Sequence, residues 1–158
     1  MTAISYEVVW ANYPRKKDIS GDALYVSIGR PEYAGNPYME NTCAVRVSLA
    51  LVAAGVKITP GHMEVKAGRF KGKQLEQGVA RLSAFLTRRL GAPEKYKSGN
   101  AARSGIGQRR GVMSFFQLNG PTDTQGHIDL VAPDEWNTLL CAGVCYWSAV
   151  EFWFWPLK

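Results

Sequence analysis

Apolar positions along this chain follow a helical rhythm first and a strand rhythm later. Tyr6, Val9, Trp10 and Tyr13 recur at helical spacing and Pro14 ends the run, which predicts a short amphipathic helix over 4–13. Residues 15–40 show no clear period. They carry Gly21, Gly29, Pro31, Gly35 and Pro37, so a long irregular arm is expected, packed as a lid or otherwise functional. From Cys43 to Ala54 almost every position is apolar, which predicts a helix buried inside the domain. Asn41 or Thr42 can cap its start, and Gly55 can stop it in the left-handed conformation.

Lys57 to Lys73 is basic and glycine-rich, with a turn at Pro60 and Gly61. Leu75, Val79, Leu82, Leu86 and Leu90 then form one stripe, and a helix is expected over 74–90, closed by Gly91 and Pro93. Residues 94–110 are polar and basic, and read as an exposed loop. Strands are predicted over 111–118, 126–131 and 146–155, with a turn at Asn119-Gly120-Pro121 between the first two and Pro156 closing the last. Helices first and an antiparallel sheet afterwards argue an α+β domain spanning 1–158.

The pattern leaves one polar exception at the start of the buried helix, and it is a thiol. Cys43 falls in the first turn, where the positive end of the helix dipole favours thiolate over thiol. The bland alternative is a buried cysteine acting as a small hydrophobe. A cysteine nucleophile needs a base, and the chain has only two histidines. His62 lies in the basic glycine-rich loop, where a structural or solvent-exposed role is favoured. His127 opens a predicted strand directly after Gly126, and the strand period puts Asp129 on the same face, able to orient the ring. A helix-borne Cys followed far downstream by a His on an antiparallel strand is the papain-like order, and the Cys43 backbone N–H could help line an oxyanion hole.

Charge adds less. The formal net charge of +6 favours a polyanionic partner, such as nucleic acid or a wall polymer rich in carboxylates. A basic, non-catalytic module that binds cell wall or nucleic acid is therefore the competing reading. No recognition-helix, RNP or zinc-finger pattern accompanies the basic residues. No apolar run is long enough to span a bilayer, and the N-terminal residues have neither the basic nor the apolar region of a classical secretory signal. Three cysteines read most simply as a local Cys141–Cys145 disulfide plus a free Cys43. Such a bond belongs in an oxidising compartment, at odds with the missing signal. Zinc is the alternative for the pair, but the ligand set is thin, and no metal or cofactor is expected.

Trp10-Ala11-Asn12-Tyr13-Pro14, Asn41-Thr42-Cys43-Ala44-Val45-Arg46-Val47-Ser48, Gly126-His127-Ile128-Asp129-Leu130 and the Trp-x-Trp-Pro ending at Pro156 resemble the fourth family of type VI secretion amidase effectors. The resemblance covers nearly the whole chain, and Cys-Ala-x-Arg-x-Ser is its most specific part. It implies a papain-like fold related to the NlpC-type cell-wall peptidases. It also implies hydrolysis of peptidoglycan stem peptides between D-glutamate and meso-diaminopimelate, with Cys43 as nucleophile and His127 as base. Delivery by the type VI apparatus into the periplasm of a competing cell needs no signal peptide and permits Cys141 and Cys145 to oxidise. A cognate immunity protein would plug the cleft in the producer; neither nucleic acid nor membrane insertion is implied. Arg46 is expected to contact substrate or to serve as a buried ion-pair partner. In the family pattern an acid between the paired cysteines completes the triad, whereas here Ala142-Gly143-Val144 holds no carboxylate. Asp129 takes that role on strand geometry, with Asp134 and Asn137, or a Cys–His dyad alone, as alternatives.

Overall fold

A computed structural model describes residues 3–158, so Met1 and Thr2 of the expected domain lie outside the described residues. The elements run α1 (Tyr6–Ala11), α2 (Gly21–Ser27), α3 (Cys43–Ala53), β1 (Met63–Glu64), β2 (Gln74–Leu75), α4 (Val79–Leu90), β3 (Glu94–Tyr96), α5 (Gly99–Ile106), β4 (Gly111–Phe116), β5 (Gly126–Pro133), β6 (Leu139–Cys141) and β7 (Glu151–Pro156). The fold is α+β, as the sequence predicts. Five strands form an antiparallel sheet in the order β3-β7-β4-β5-β6, and β1 pairs with β2 apart from it. No helix among the described residues is long and apolar enough to cross a membrane.

The sheet has a core on each face. Ile128 and Leu130 of β5, Val112 of β4 and Trp155 of β7 join α1, α3 and α4 in the larger cluster. Met113, Phe115, Phe152 and Phe154, which alternate with them, pack with Ala102 and Ile106 of α5 in the smaller one. Every residue of α3 from Cys43 to Val52 is buried, which accounts for its nearly continuous apolar run. Polar side chains lock it in place: Ser48 Oγ accepts from Glu76 N (3.1 Å) and donates to Glu76 O (3.0 Å). Ser83 of α4 and Ser114 of β4 share a second buried hydrogen bond of 2.7 Å.

Four expectations about elements need correction. The 15–40 arm is not irregular throughout: it holds α2 and two 3-10 turns, Pro31–Tyr33 and Pro37–Met39. Ser20 caps α2 by accepting from Ala23 N (3.2 Å), and Leu24 and Tyr25 anchor it in the core. The helix expected over 74–90 starts only at Val79, because Gly78 stands at its N-cap and Leu75 is a strand residue paired with Met63. Leu75 still reaches the core, so the stripe read its burial correctly and its conformation wrongly. The loop expected over 94–110 contains β3 and α5. Ser98 caps α5 through Ala101 N (3.1 Å), while its buried face consists only of Gly99, Ala102 and Ile106, too small to give a strong period. Finally, β7 begins at Glu151, not at Tyr146, which leaves Tyr146 to Val150 as a turn beside β5.

Candidate active site

The first turn of α3 brings Cys43 to a cleft of about 440 Å³ lined also by His127, Gly126, Asn41, Tyr13, Gly143 and Tyr146. Cys43 is the free cysteine and is 4% exposed, so its sulfur reaches solvent only through that cleft. Thr42 makes no capping bond with its side chain, because its hydroxyl accepts from Arg46 Nε at 2.8 Å. Asn41 takes over part of that role. Its Oδ1 accepts the Cys43 N–H at 3.1 Å, and its Nδ2 donates to Gly126 O at 3.3 Å, tying the helix start to the start of β5. The Cys43 N–H expected in an oxyanion hole is therefore held by Asn41.

His127 and Asp129 project from one face of β5. Asp129 Oδ2 lies 2.7 Å from His127 Nε2, which leaves Nδ1 as the ring nitrogen to meet the Cys43 sulfur. Cys43 and His127 line the same cleft, and the sulfur is near enough to act on the ring's titration. Tyr146 packs edge-on against the histidine ring with centroids 4.9 Å apart, and Phe115 supports it from the neighbouring strand at 5.6 Å. Burial disfavours the charged ring, but the hydrogen bond it donates to Asp129 and the influence of Cys43 outweigh it. Together they raise the His127 pKa from 6.5 to about 9.

That shift has a sign in stability. A folded-state pKa above the unfolded value contributes stabilisation that is complete below about pH 6.5 and lost as pH rises through about 9. Thermal unfolding followed from pH 6 to 10 is expected to show this decline. It should be absent from a His127→Gln variant, whose side chain does not titrate.

Asp129 is fully buried, and backbone amides saturate the rest of its carboxylate. Oδ1 accepts from Leu130 N (2.8 Å) and Gly143 N (3.0 Å), and Oδ2 accepts from Val144 N (3.0 Å). Gly143 and Val144 lie in the loop closed by the Cys141–Cys145 disulfide, whose Cα atoms are 5.3 Å apart. Arg15 stacks on Trp10 and donates to Ala142 O (3.1 Å), fastening that loop from the other side. The three residues between the cysteines thus supply no acid but donate two N–H groups to one. Gly143 is required here for its lack of a side chain: a Cβ would stand 2.8 Å from Asp129 Oδ2. Gly143→Ala should push the carboxylate off the histidine, lowering kcat about 10- to 100-fold with a stability loss of about 1–3 kcal/mol. Steady-state kinetics beside thermal melts would check both.

The other candidate residues lie elsewhere or do other work. Asp134 Oδ1 accepts from Trp136 N (2.8 Å) and Thr138 N (2.9 Å), and Asn137 sits at φ 60°, so both serve the β5–β6 turn. Arg46 is fully buried and has no carboxylate partner among the described residues. Its guanidinium donates to Thr42 Oγ1, to Pro14 O (2.8 Å) and to Ile19 O (3.0 Å), and burial lowers its pKa from the usual guanidinium value. It pins the 14–19 segment against α3, and it stands in the wall of the cleft fully buried, with its donors turned to these three oxygens. His62 is half exposed and pairs with the buried Glu76, which also receives Arg81 Nε. Of the two capping candidates at the helix start, Asn41 is the one whose side chain binds a backbone N–H, while sequence reasoning missed the two loop amides on Asp129 and the Tyr146 wall. Backbone donors carry no residue signal, and Tyr146 read as strand.

Residues 39–155 match the family model described as type VI secretion system (T6SS), amidase effector protein 4, abbreviated Tae4. No curated protein sequence matches significantly. Among solved structures, the chain is similar to the type VI effector Tae4 from Enterobacter cloacae, with a TM-score of 0.75 at 17% identity, covering 99% of this chain and 98% of that one. It is similar also to Tae4 in the effector-immunity complex Tae4-Tai4 from Salmonella Typhimurium, with a TM-score of 0.73 at 20% identity, covering 99% and 100% of the two chains. At these identities the likeness is one of fold.

Proposed function

Because the chain belongs to the family of type VI secretion amidase effectors, Tae4, we propose that it is a cysteine amidase of peptidoglycan. We assign to it hydrolysis of the γ-D-glutamyl–meso-diaminopimelate bond of stem peptides. The observation that carries this reading is the convergence, in one cleft, of Cys43 on a helix N-terminus with a His127 that Asp129 orients.

In this mechanism the Cys43 sulfur attacks the γ-carbonyl of D-glutamate while the imidazolium of His127 stands beside it. The oxyanion that forms takes the Cys43 N–H in place of Asn41 Oδ1, an exposed side chain whose rotation also breaks its Nδ2 bond to Gly126 O. Collapse breaks the C–N bond as His127 Nδ1–H protonates the leaving amine of diaminopimelate. The neutral ring then takes a proton from water, whose oxygen attacks the thioester. The D-glutamate carboxylate leaves, and thiolate and imidazolium are restored. Asp129 holds Nε2 throughout. The net charge of +6 suits a substrate bearing free carboxylates.

The same reading assigns the setting. The effector is delivered by the type VI apparatus to the periplasm of a target cell, where the Cys141–Cys145 bond is stable. A cognate immunity protein guards the producer; the similar chains from Enterobacter cloacae and Salmonella Typhimurium are found in effector-immunity complexes, Tae4-Tai4. The test is digestion of diaminopimelate-type muropeptides followed by mass spectrometry. Fragments ending in D-glutamate and fragments beginning at diaminopimelate are expected. Cleavage at any other bond, or none, would overturn the assignment.

A further inference from the structure

Beside the catalytic cleft lies a second hollow of about 380 Å³, lined by Asp22, Tyr25, Met39 and Thr42 among others. Two residues line both spaces, Lys16 and Glu40, so they stand on the rim the two hollows share. The other charged groups of the cleft are committed, Arg46 to two backbone carbonyls and a hydroxyl, His127 to Asp129. Lys16 and Glu40 are exposed, and neither makes an ion pair or a side-chain hydrogen bond among the described residues, not even with the other.

Both charges nonetheless sit on fixed backbone. Arg46 binds Pro14 O and Ile19 O on either side of Lys16. Tyr25 OH donates to Met39 O (2.7 Å) just before Glu40, and Asn41 just after it holds the Cys43 amide. One cation and one anion, placed together yet unpaired at the mouth of a cleft, fit a group that carries both opposite charges. A lone carboxylate or a lone amine would leave one of them unanswered.

We propose that Lys16 and Glu40 form a subsite for a zwitterionic amino-acid head group, Lys16 taking its carboxylate and Glu40 its ammonium. Resting on the amidase reading, the group is the free amine and carboxylate at the distal centre of diaminopimelate, on the leaving side of the scissile bond. The subsite then selects diamino acids that keep both charges, and favours stems whose distal amine is not already cross-linked.

The test compares kcat/KM on three synthetic stem peptides: with diaminopimelate, with lysine in its place, and with diaminopimelate acetylated on the distal amine. Lysine keeps the ammonium and lacks the carboxylate; acetylation does the reverse. The wild-type protein is expected to favour the first peptide over each of the others about tenfold, the size of one charge-assisted contact. In Lys16→Gln the preference over lysine should fall toward one while the preference over the acetylated peptide persists. In Glu40→Gln the two ratios should exchange behaviour. Each ratio is internal to one protein, so partial unfolding of a variant does not change it. Wild-type ratios near one, or ratios that both variants leave intact, overturn the subsite and leave the amidase standing. Failure of the wild type to cleave any of the peptides defeats the amidase reading, and the subsite with it.

Discussion

Cys43→Ala is expected to lower turnover of stem peptides by on the order of 10⁴-fold or more. No other thiol is free to replace it, since Cys141 and Cys145 are bonded to each other. The fold should survive. The side chain is one small group among the buried residues of α3, and its loss costs about 1 kcal/mol or less. Kinetics on muropeptides beside a thermal melt separate the two effects: a collapsed rate in a protein that still melts cooperatively is the expected pair. A variant that retained more than a few per cent of the rate would move the chemistry away from this sulfur.

The second large effect is at Asp129. Its carboxylate accepts from His127 Nε2 and from three backbone amides, so every neighbour is a donor. An amide of the same shape can accept at only one end. In Asp129→Asn the NH₂ must face either the amides of Leu130 and Gly143 or the pair formed by Val144 N and His127 Nε2. In the second arrangement the ring can no longer donate from Nε2, so the charged form loses its support and the free tautomer is wrong for meeting the sulfur. The expected loss is about 10³- to 10⁴-fold in kcat with about 1–3 kcal/mol of stability from the mismatched buried donors. The basic limb of the rate profile should also move. In the wild type the imidazolium persists to about pH 9, and without the carboxylate it is lost at lower pH. A profile that kept its basic limb in Asp129→Asn would show that the acid does not act through the histidine.

Much of this site can be read in the chain, and the reason lies in periodicity. α3 shows itself because a helix buried on all sides must be apolar at nearly every position, which makes the thiol at its start conspicuous. His127 and Asp129 can be paired on paper because a strand returns to the same face every second residue. What sets these groups in place is written differently. The amides of Gly143 and Val144 belong to the backbone, so no side chain announces them. Arg46 and Arg15 act on carbonyl oxygens, where any residue type could stand as partner. Arg46 therefore read as a substrate contact or an ion-pair partner, when its work is to fasten the segment that carries Lys16. The missed elements have a common cause too. α2 and α5 are short, capped by serines at Ser20 and Ser98, and bury few large side chains, so their periods are weak against the glycines around them.

The departure from the family pattern is resolved in the same physical terms. A loop closed by two cysteines can hold a histidine's acid in either of two ways, by carrying the carboxylate or by gripping one that comes from a strand. Here the strand carries it, and the loop contributes two amide donors and a glycine small enough to let them approach. In the proposed mechanism the disulfide therefore bears on catalysis through Asp129.

The most direct measurement is an NMR titration of the His127 ring in the intact protein and in Cys43→Ala. A midpoint near 9 is expected in the first, and a clearly lower one in the second, because the sulfur's influence on the ring is then gone. A ring that titrates near its ordinary value of about 6.5, unmoved when Cys43 is replaced, would contradict the coupling of these two groups.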